Sequence, residues 1–336
     1  MPRQRHIPLG LLKVAIERAG ALASTRLSVL AFGIGFKHSR RHRARVVYRG
    51  PHSIAVAGYG KTLKPSLKFF VVRKSKSPKS AERIPRSVVL SYRGERYRLP
   101  TDVEAVGRPI LHASPFCQPA YPSGRGLRGS CGLLAGGQNG DKYLITAGHV
   151  LLDGSLVGDG TRVLVGTVSV GQIVAAATHF DLNGAIMDIG VIRLDQSIPQ
   201  LAIPPWTQMK AVLDDATLRQ SVAVQQPIFC LIPGAKGDAT VLVDSHVAFN
   251  NISLPDVGTY APILLHTRVV NGRLCGGDSG APLVTPAGEV VGLHVIGSAP
   301  FDQDECTRSG WAVFAATLMA EAGTRLGTSL TLAMPP

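Results

Sequence analysis

Acidic residues are scarce in the first 100 positions of the sequence, where only Glu17, Glu82 and Glu95 stand against 23 lysines and arginines. These 100 residues carry a charge of +20 and the other 236 carry −6, which together make the net +14 of the chain. Such a basic excess favours an anionic partner, either nucleic acid or an acidic protein. Because no helix-turn-helix, zinc-finger or RNA-binding motif accompanies it, a solvated face is the competing interpretation.

Long uncharged hydrophobic runs are also missing near the N-terminus. The longest, Leu27 to Phe36, has ten residues, and Lys13, Glu17 and Arg18 interrupt the apolar residues before it. Ten residues are too few to span a bilayer as a helix, and the segment is not typical of a secretory signal. The expected location is therefore the cytoplasm, and no transmembrane segment is expected.

Cysteine is sparse and odd in number, which argues against a disulfide framework. The five cysteines are Cys117, Cys131, Cys230, Cys275 and Cys306. The first three have no evident partner, and no pair shows zinc-ligand spacing with a histidine. The sequence therefore predicts neither a metal site nor any other cofactor.

Short apolar runs separated by Gly, Pro, Asn and Asp dominate the chain after its basic start, and a helical period is clear only in the amphipathic segment Leu11 to Ala23. About nine short strands after residue 125 favour an antiparallel β-barrel or sandwich. The predicted divisions are a basic tail or helical arm (1–45), a small β-rich or mixed subdomain (46–107), a linker (108–124), the main β domain (125–325) and a C-terminal tail (326–336).

The stretch "NGRLCGGDSGAPLV", Asn271 to Val284, places an acid and a hydroxyl among glycines. Glycine permits a tight bend and lets backbone N–H groups converge on one point, so Ser279 could be a nucleophile held on such a bend. A hairpin turn that uses Asp278 and Ser279 for local hydrogen bonds explains the stretch equally well by itself. In both interpretations Asp278 shapes the loop.

Two upstream motifs favour the nucleophile. "LITAGHVLL" puts His149 directly after an apolar strand, and "MDIGVIRLD" puts Asp188 at the head of another. Acyl transfer uses a hydroxyl, an imidazole that takes its proton, and a carboxylate that orients the imidazole. Asp188 is the preferred carboxylate because small and apolar residues follow it directly, as a core strand requires, with Asp181 and Asp195 as alternatives.

These motifs resemble those of the chymotrypsin/trypsin-like serine peptidases: "TAGHV" (Thr146 to Val150), "DIGVI" (Asp188 to Ile192) and "GDSGAPL" (Gly277 to Leu283), in the family's order. The resemblance implies an all-β fold of two antiparallel six-stranded β-barrels of chymotrypsin type. It implies Ser279 as nucleophile, His149 as general base, Asp188 as its orienter, and the N–H groups of Gly277 and Ser279 as oxyanion hole. The chain lacks an Ile-Val-Gly-Gly zymogen junction, as many bacterial relatives do.

The same resemblance suggests a disulfide between Cys275 and Cys306, with two reduced thiols as the alternative. It also outlines a specificity pocket formed by Arg273, His294, Val295, Gly297 and Gly310. An arginine six residues before the nucleophile speaks against Lys or Arg at the cleavage position. The segment "GLHVIG" is similar to the histidine-bearing strand of glutamyl endopeptidases and picornaviral cysteine proteases, which predicts Glu or Gln there.

The alternative for specificity is that His294 is a core residue while Asp302, Asp304 and Glu305 favour basic substrates. The predicted function is serine endopeptidase. The alternatives are a viral polyprotein-processing protease of the same fold and a pseudoprotease scaffold that binds acidic partners or nucleic acid through the basic N-terminal region. "LPTDVEAVG", Leu99 to Gly107, resembles the lead-in of uncharacterised bacterial trypsin-like proteins, so the 46–107 region is expected to pack on the protease domain.

Overall fold

The computed structural model describes most of the chain, in nineteen segments. They are residues 8–26, 28–37, 45–48, 54–57, 64–75, 78–106, 109–111, 118–119, 129–151, 161–165, 168–177, 188–195, 209–223, 228–234, 237–249, 252–254, 258–260, 263–298 and 306–333. Strands make up most of this structure, so the molecule is mostly β but not all-β. The helices are α1 (Leu9–Ala23), α2 (Gly148–Leu151), α3 (Asp215–Ala223) and α4 (Ala315–Leu326).

The strands, in chain order, are β1 (Val29–Lys37), β2 (Arg45–Tyr48), β3 (Ile54–Ala57), β4 (Lys64–Val71), β5 (Ser87–Tyr92), β6 (Glu95–Ala105), β7 (Pro109–Leu111), β8 (Gln118–Pro119), β9 (Leu133–Gly137), β10 (Lys142–Thr146), β11 (Arg162–Val165), β12 (Val168–Ala177), β13 (Ile189–Leu194), β14 (Ala211–Val212), β15 (Ile228–Ile232), β16 (Ala239–Phe249), β17 (Ile252–Leu254), β18 (Gly258–Tyr260), β19 (Ile263–Asn271), β20 (Leu274–Cys275), β21 (Pro282–Val284), β22 (Glu289–Ser298), β23 (Cys306–Thr307), β24 (Ser309–Phe314) and β25 (Leu330–Leu332).

Six antiparallel strands form a closed barrel in the order β15, β21, β22, β24, β19 and β16, because β15 also pairs with β16. Closure leaves no free edge in this ring, and alternate side chains fill its interior. The interior residues form one hydrophobic cluster that includes Cys230, Val241, Leu265, Leu283 and Val291. The prediction of an antiparallel barrel is confirmed for this part of the chain.

A second sheet has seven strands in the order β25, β9, β10, β13, β12, β11 and β8. Within the described ranges no pairing joins its outer strands β25 and β8, so a second closed barrel is not established. The apolar face of this sheet shares a core with the barrel, in which Leu144, Ile192, Leu293 and Trp311 are buried. The two sheets therefore pack against each other, and the candidate site lies where they meet.

The N-terminal region extends the barrel sheet. Strand β1 pairs antiparallel with β16, and β4, β6 and β5 follow outward, with β4 and β6 parallel. Helix α1 covers this extension with residues spaced three or four apart. Its buried face is Leu11, Leu12, Ala15, Ala19 and Ala23. This packing joins residues on both sides of residue 45, where the sequence predicted a boundary.

The end of α4 shows how a local signal sets an element's bounds. Gly327 adopts a left-handed conformation (φ 63°), and its N–H donates to the Gly323 carbonyl. Glycine carries no Cβ penalty there, so the helix ends at this position. The chain then turns back to form β25, which pairs with β9.

Among the described helices, none combines the length and apolar composition needed to cross a membrane.

Candidate active site

Pairing between β10 and β13 brings His149 beside Asp188. Thr146, the last residue of β10, lies opposite Gly190, and Asp188 immediately precedes β13. His149 stands in the short helix α2 that follows β10. A Cβ at Gly190 would lie 2.5 Å from Leu151 Cδ1 and 3.3 Å from the Ala147 carbonyl oxygen. The absence of a side chain at Gly190 therefore lets α2 lie close to the head of β13.

The three sequence-predicted residues form one hydrogen-bonded series. Asp188 Oδ2 lies 2.8 Å from His149 Nδ1, and His149 Nε2 lies 2.8 Å from Ser279 Oγ. The second carboxylate oxygen, Asp188 Oδ1, accepts the backbone N–H of His149 at 2.9 Å. All three side chains are buried. Burial removes water that would compete for these bonds and strengthens their electrostatic component.

The loop that carries Ser279 depends on two glycines with positive φ, Gly277 (121°) and Gly280 (87°). A Cβ at Gly280 would also lie 2.2 Å from Thr146 Oγ1 and 2.5 Å from the Ser130 carbonyl oxygen. Gly280 therefore lets this loop pack against the end of β10. This close packing places the Ser279 hydroxyl, which belongs to the barrel, next to the His149 imidazole, which belongs to the other sheet.

The backbone N–H groups of Gly277 and Ser279 lie beside the candidate nucleophile. Within the described structure, neither the Gly277 nor the Ser279 N–H donates a hydrogen bond, whereas the Asp278 N–H donates to the Cys275 carbonyl at 3.1 Å. The buried Asp278 carboxylate accepts the Cys275 N–H at 2.7 Å through Oδ2. Asp278 therefore shapes the bend, as expected. Backbone donors that flank a hydroxyl can stabilise a developing oxyanion.

Ser130 supports this loop and was missed by the sequence analysis. Its hydroxyl donates to the Gly277 carbonyl at 3.0 Å, and its N–H donates to the Ser279 carbonyl at 2.7 Å. Thr146 Oγ1 in turn donates to the Ser130 carbonyl at 2.8 Å. No local motif marks Ser130, because Gly277 and Ser279 lie about 150 residues further along the chain. Only folding brings them together.

The alternative carboxylates differ in their surroundings. Asp195, at the end of β13, is bonded to Arg162 through both oxygens, with Nη1 to Oδ1 at 3.0 Å. The hydrogen bond from Arg162 lowers the pKa of Asp195 below its usual value. Asp195 is therefore committed to a surface ion pair. Asp181 lies outside the described residues.

The structure contains the suggested disulfide between Cys275 and Cys306. This bond joins β20 to β23, and both cysteines are buried. Cys275 lies four residues before Ser279. Cys131 is disulfide-bonded as well, so the expectation that it has no partner is wrong. Cys230 is a free, buried thiol inside the barrel, and burial raises its pKa. Cys117 lies outside the described residues.

Most of the predicted pocket residues lie along β22 and β24. His294 and Val295 are fully buried, and Gly297 pairs with Gly310 across the two strands. A Cβ at Gly310 would lie 2.6 Å from His294 Cε1, so the imidazole covers the space that Gly310 leaves open. Val295 reaches the site directly, because its carbonyl accepts a hydrogen bond from Ser279 Oγ at 3.0 Å.

Arg273 differs from these residues because it is exposed, in the turn before β20. Thr267, which the sequence analysis did not name, is buried opposite Gly310 on β19. Its Oγ1 has no hydrogen-bond partner within the described structure. The acidic residues of the alternative pocket, Asp302, Asp304 and Glu305, lie outside the described residues.

A hydroxyl, an imidazole and a carboxylate in series, with backbone N–H groups beside the hydroxyl, can carry out acyl transfer. No protein-family model and no curated protein sequence matches the chain. Three similar solved structures are all proteases, and each shares 15% identity with this chain.

The first is a Nocardiopsis protease (NAPase), which matches over 67% of this chain and 100% of its own, with a TM-score of 0.43. The HtrA-type protease AlgW with a decapeptide matches over 66% of this chain and 62% of its own, with a TM-score of 0.35. The Rv3671c protease in its inactive form matches over 58% and 88%, with a TM-score of 0.32. Identities and TM-scores this low do not support a conclusion about the activity of this protein, so the functional proposal is based on the geometry of the candidate site.

Proposed function

We propose that this protein is a serine endopeptidase in which Ser279 is the nucleophile, His149 the general base and Asp188 the group that orients His149. The observation that carries the proposal is the unbroken series of 2.8 Å contacts from Asp188 through His149 to Ser279. The hydrogen bond that the His149 backbone N–H donates to Asp188 Oδ1 supports it, since it restricts both the helix and the ring. We also propose that the seven-stranded sheet completes a second barrel, as the resemblance implies.

In the proposed mechanism, the proton of Ser279 has two possible acceptors, the Val295 carbonyl at 3.0 Å and His149 Nε2 at 2.8 Å. Attack on a substrate carbonyl carbon requires the proton to move to Nε2, and the Asp188 carboxylate then stabilises the imidazolium. The N–H groups of Gly277 and Ser279 receive the negative charge that develops on the carbonyl oxygen.

His149 next returns the proton to the departing amine, which leaves an acyl-enzyme on Ser279. The same histidine then takes a proton from water, whose oxygen attacks the acyl carbon. Breakdown of this second intermediate releases the carboxylic acid and restores the Ser279 hydroxyl.

The substrate preference we propose is Glu or Gln before the scissile bond. The supporting feature is the buried imidazole of His294 above Gly310, with the Thr267 hydroxyl on the neighbouring strand. An imidazole N–H can donate to a carboxylate or amide oxygen, and an apolar side chain offers no such acceptor. This pocket would therefore discriminate against apolar side chains.

The proposed partner is a protein or peptide substrate, and binding of nucleic acid or an acidic protein to the basic region stays a prediction. One basic residue of that region, Lys68, is fully buried and paired with Asp102 at 3.0 Å and Glu104 at 3.2 Å. The cytoplasmic location also stays a prediction. The disulfides weigh against it, since such bonds persist in oxidising compartments.

Covalent labelling with a fluorophosphonate probe tests the proposed function. The probe should modify Ser279 in the wild-type protein, as located by peptide mass spectrometry, and should fail with Ser279→Ala. Ser279→Ala and His149→Ala should each lower peptide hydrolysis by about 10⁴ to 10⁶-fold while the melting temperature stays close to that of the wild type. Near-wild-type turnover in either variant would refute the assignment, and the pseudoprotease alternative predicts no labelling at all.

A further inference from the structure

Strand β7 pairs with the end of β22, on the side that faces away from β24 and beyond the residues that pair with β21. Its register is antiparallel, with Leu111 opposite Ile296, Ile110 opposite Gly297 and Pro109 opposite Ser298. On the other side of β22, Ile296 and Gly297 pair with β24. The backbone of β22 is therefore paired on both sides at this point, and the second partner comes from the segment that precedes the protease motifs in the chain.

The position of β7 matters because β22 leads directly to Ser279. The Val295 carbonyl, 3.0 Å from Ser279 Oγ, belongs to the residue next to Ile296. One residue of an extended strand spans about 3.3 Å, so the end of β7 lies close to the candidate nucleophile. From Pro109 to Leu111 the chain runs along β22 from Ser298 toward Val295 and hence toward the site.

This direction is the one a substrate needs. The acyl part of a peptide lies on the N-terminal side of the scissile bond, so its chain must run toward the nucleophile. Peptides commonly bind by adding a strand to a free sheet edge, where main-chain hydrogen bonds supply affinity. Gly297, one of the predicted pocket residues, lies on this edge and is paired with Ile110 of β7.

We infer that Pro109–Leu111 is a built-in, substrate-like strand that competes with external peptides for the edge of β22 and so restrains the protein's own activity. The inference rests on the proposed function. Complete burial of the Ser279 side chain agrees with it, since access to the hydroxyl requires part of the structure to move. An ordinary edge cover that protects the sheet from aggregation would instead stay in place while substrate binds.

A single substitution in β7 can weaken the pairing between β7 and β22. Proline at position 109 has no N–H, and hydrogen-bonded pairs alternate along an antiparallel ladder, so Ile110 is the residue whose N–H faces β22. Ile110→Pro removes that donor. Thr331→Pro is the matched control, because Thr331 is the central residue of another three-residue edge strand, β25.

The test compares kcat/KM for a tetrapeptide substrate in the wild type, Ile110→Pro and Thr331→Pro. Release of a competing strand should raise kcat/KM about tenfold in Ile110→Pro, mainly through a lower KM, with no rise in the control. A fluorophosphonate, run in parallel on all three proteins, reports on Ser279 itself. Labelling of Ser279 with equal kcat/KM in the wild type and Ile110→Pro would overturn the inference alone, whereas no labelling in any protein would overturn the proposed function and the inference with it.

If Ile110→Pro does not fold, hydrogen exchange on the wild-type protein tests whether a bound peptide displaces β7. A tetrapeptide phosphonate bound to Ser279 should displace β7, so the amides of Ile110 and Leu111 should exchange faster in the complex than in the free protein. Unchanged or slower exchange at these two amides would contradict competition and identify β7 as an edge cover.

Discussion

The carboxylate of Asp188 binds His149 twice, through Oδ2 to the ring Nδ1 at 2.8 Å and through Oδ1 to the backbone N–H at 2.9 Å. Asp188→Asn should lower turnover by about 10⁴-fold, because an amide N–H in place of Oδ2 favours the wrong imidazole tautomer. Steady-state hydrolysis of a short peptide measures the effect.

Asp195→Asn is the matched control for that change. Asp195 is bonded to Arg162, so its replacement should leave turnover nearly unchanged. A loss in Asp195→Asn as large as that in Asp188→Asn would refute the assignment of the orienting carboxylate. Asp181→Asn is expected to be mild as well.

Loss of the Ser130 hydroxyl should impair the loop that carries Gly277 and Ser279. Ser130→Ala removes the 3.0 Å hydrogen bond to the Gly277 carbonyl and frees the peptide group beside one proposed oxyanion donor. Removal of a whole donor costs about 10²- to 10³-fold in kcat, and a displaced donor should cost less, about tenfold. Separate measurements of kcat and KM test this expectation, with Ser169→Ala, whose hydroxyl accepts from Arg162, as the control. A higher KM with unchanged kcat would contradict a positioning role for Ser130.

The disulfide between Cys275 and Cys306 should stabilise the region around Ser279. It joins residues 31 positions apart, and closure of such a loop in the unfolded chain corresponds to about 3–4 kcal/mol. The double variant Cys275→Ser, Cys306→Ser should lower the free energy of unfolding by roughly that amount in a denaturant titration. Peptide mapping without reductant should find the two cysteines linked in the wild type. Two alkylated cysteines in that map would contradict the structure.

His294 should determine the residue accepted before the scissile bond. A peptide-library profile of the wild type should favour Glu or Gln, and His294→Ala should lose that preference, because the donor above Gly310 is gone. His266→Ala is the control, since His266 is equally buried but packs against Phe70 and Trp311, with ring centroids 4.6 Å and 5.6 Å away. A clear preference for Lys or Arg, or an unchanged profile in His294→Ala, would end the glutamyl proposal.

Cys230 should resist alkylation while the protein is folded. Burial raises the pKa of its thiol, and only the thiolate is a good nucleophile. Iodoacetamide at pH 8 should therefore modify Cys230 only after denaturation. Because the pKa of this thiol is higher in the folded than in the unfolded protein, the unfolded protein loses the proton first as the pH rises. The contribution of this thiol to the free energy of unfolding is therefore complete below the unfolded pKa and falls above it. Rapid modification of the native protein would show that the barrel opens readily.

The candidate site was largely predictable from three short motifs. His149 directly follows an apolar strand, Asp188 directly precedes one, and Ser279 lies in a glycine-rich bend. Together these three residue types suggested acyl transfer. Ser130 and Thr267 have no such pattern. Their roles come from hydrogen bonds and pairings with distant residues, which no local window of sequence contains.

The sequence by itself determined the strand-rich character, the amphipathic helix near Leu11 to Ala23 and the candidate residues, since these depend on hydrophobic period and turn chemistry within a few residues. Only the tertiary structure decided that β1 extends the barrel sheet and that helix α1 covers the extension. The same holds for the disulfide bond of Cys131 and for the position of β7 along β22, close to Ser279. Each of these depends on which distant segments bury apolar surface or complete backbone hydrogen bonds together, and that choice is made by the whole chain at once.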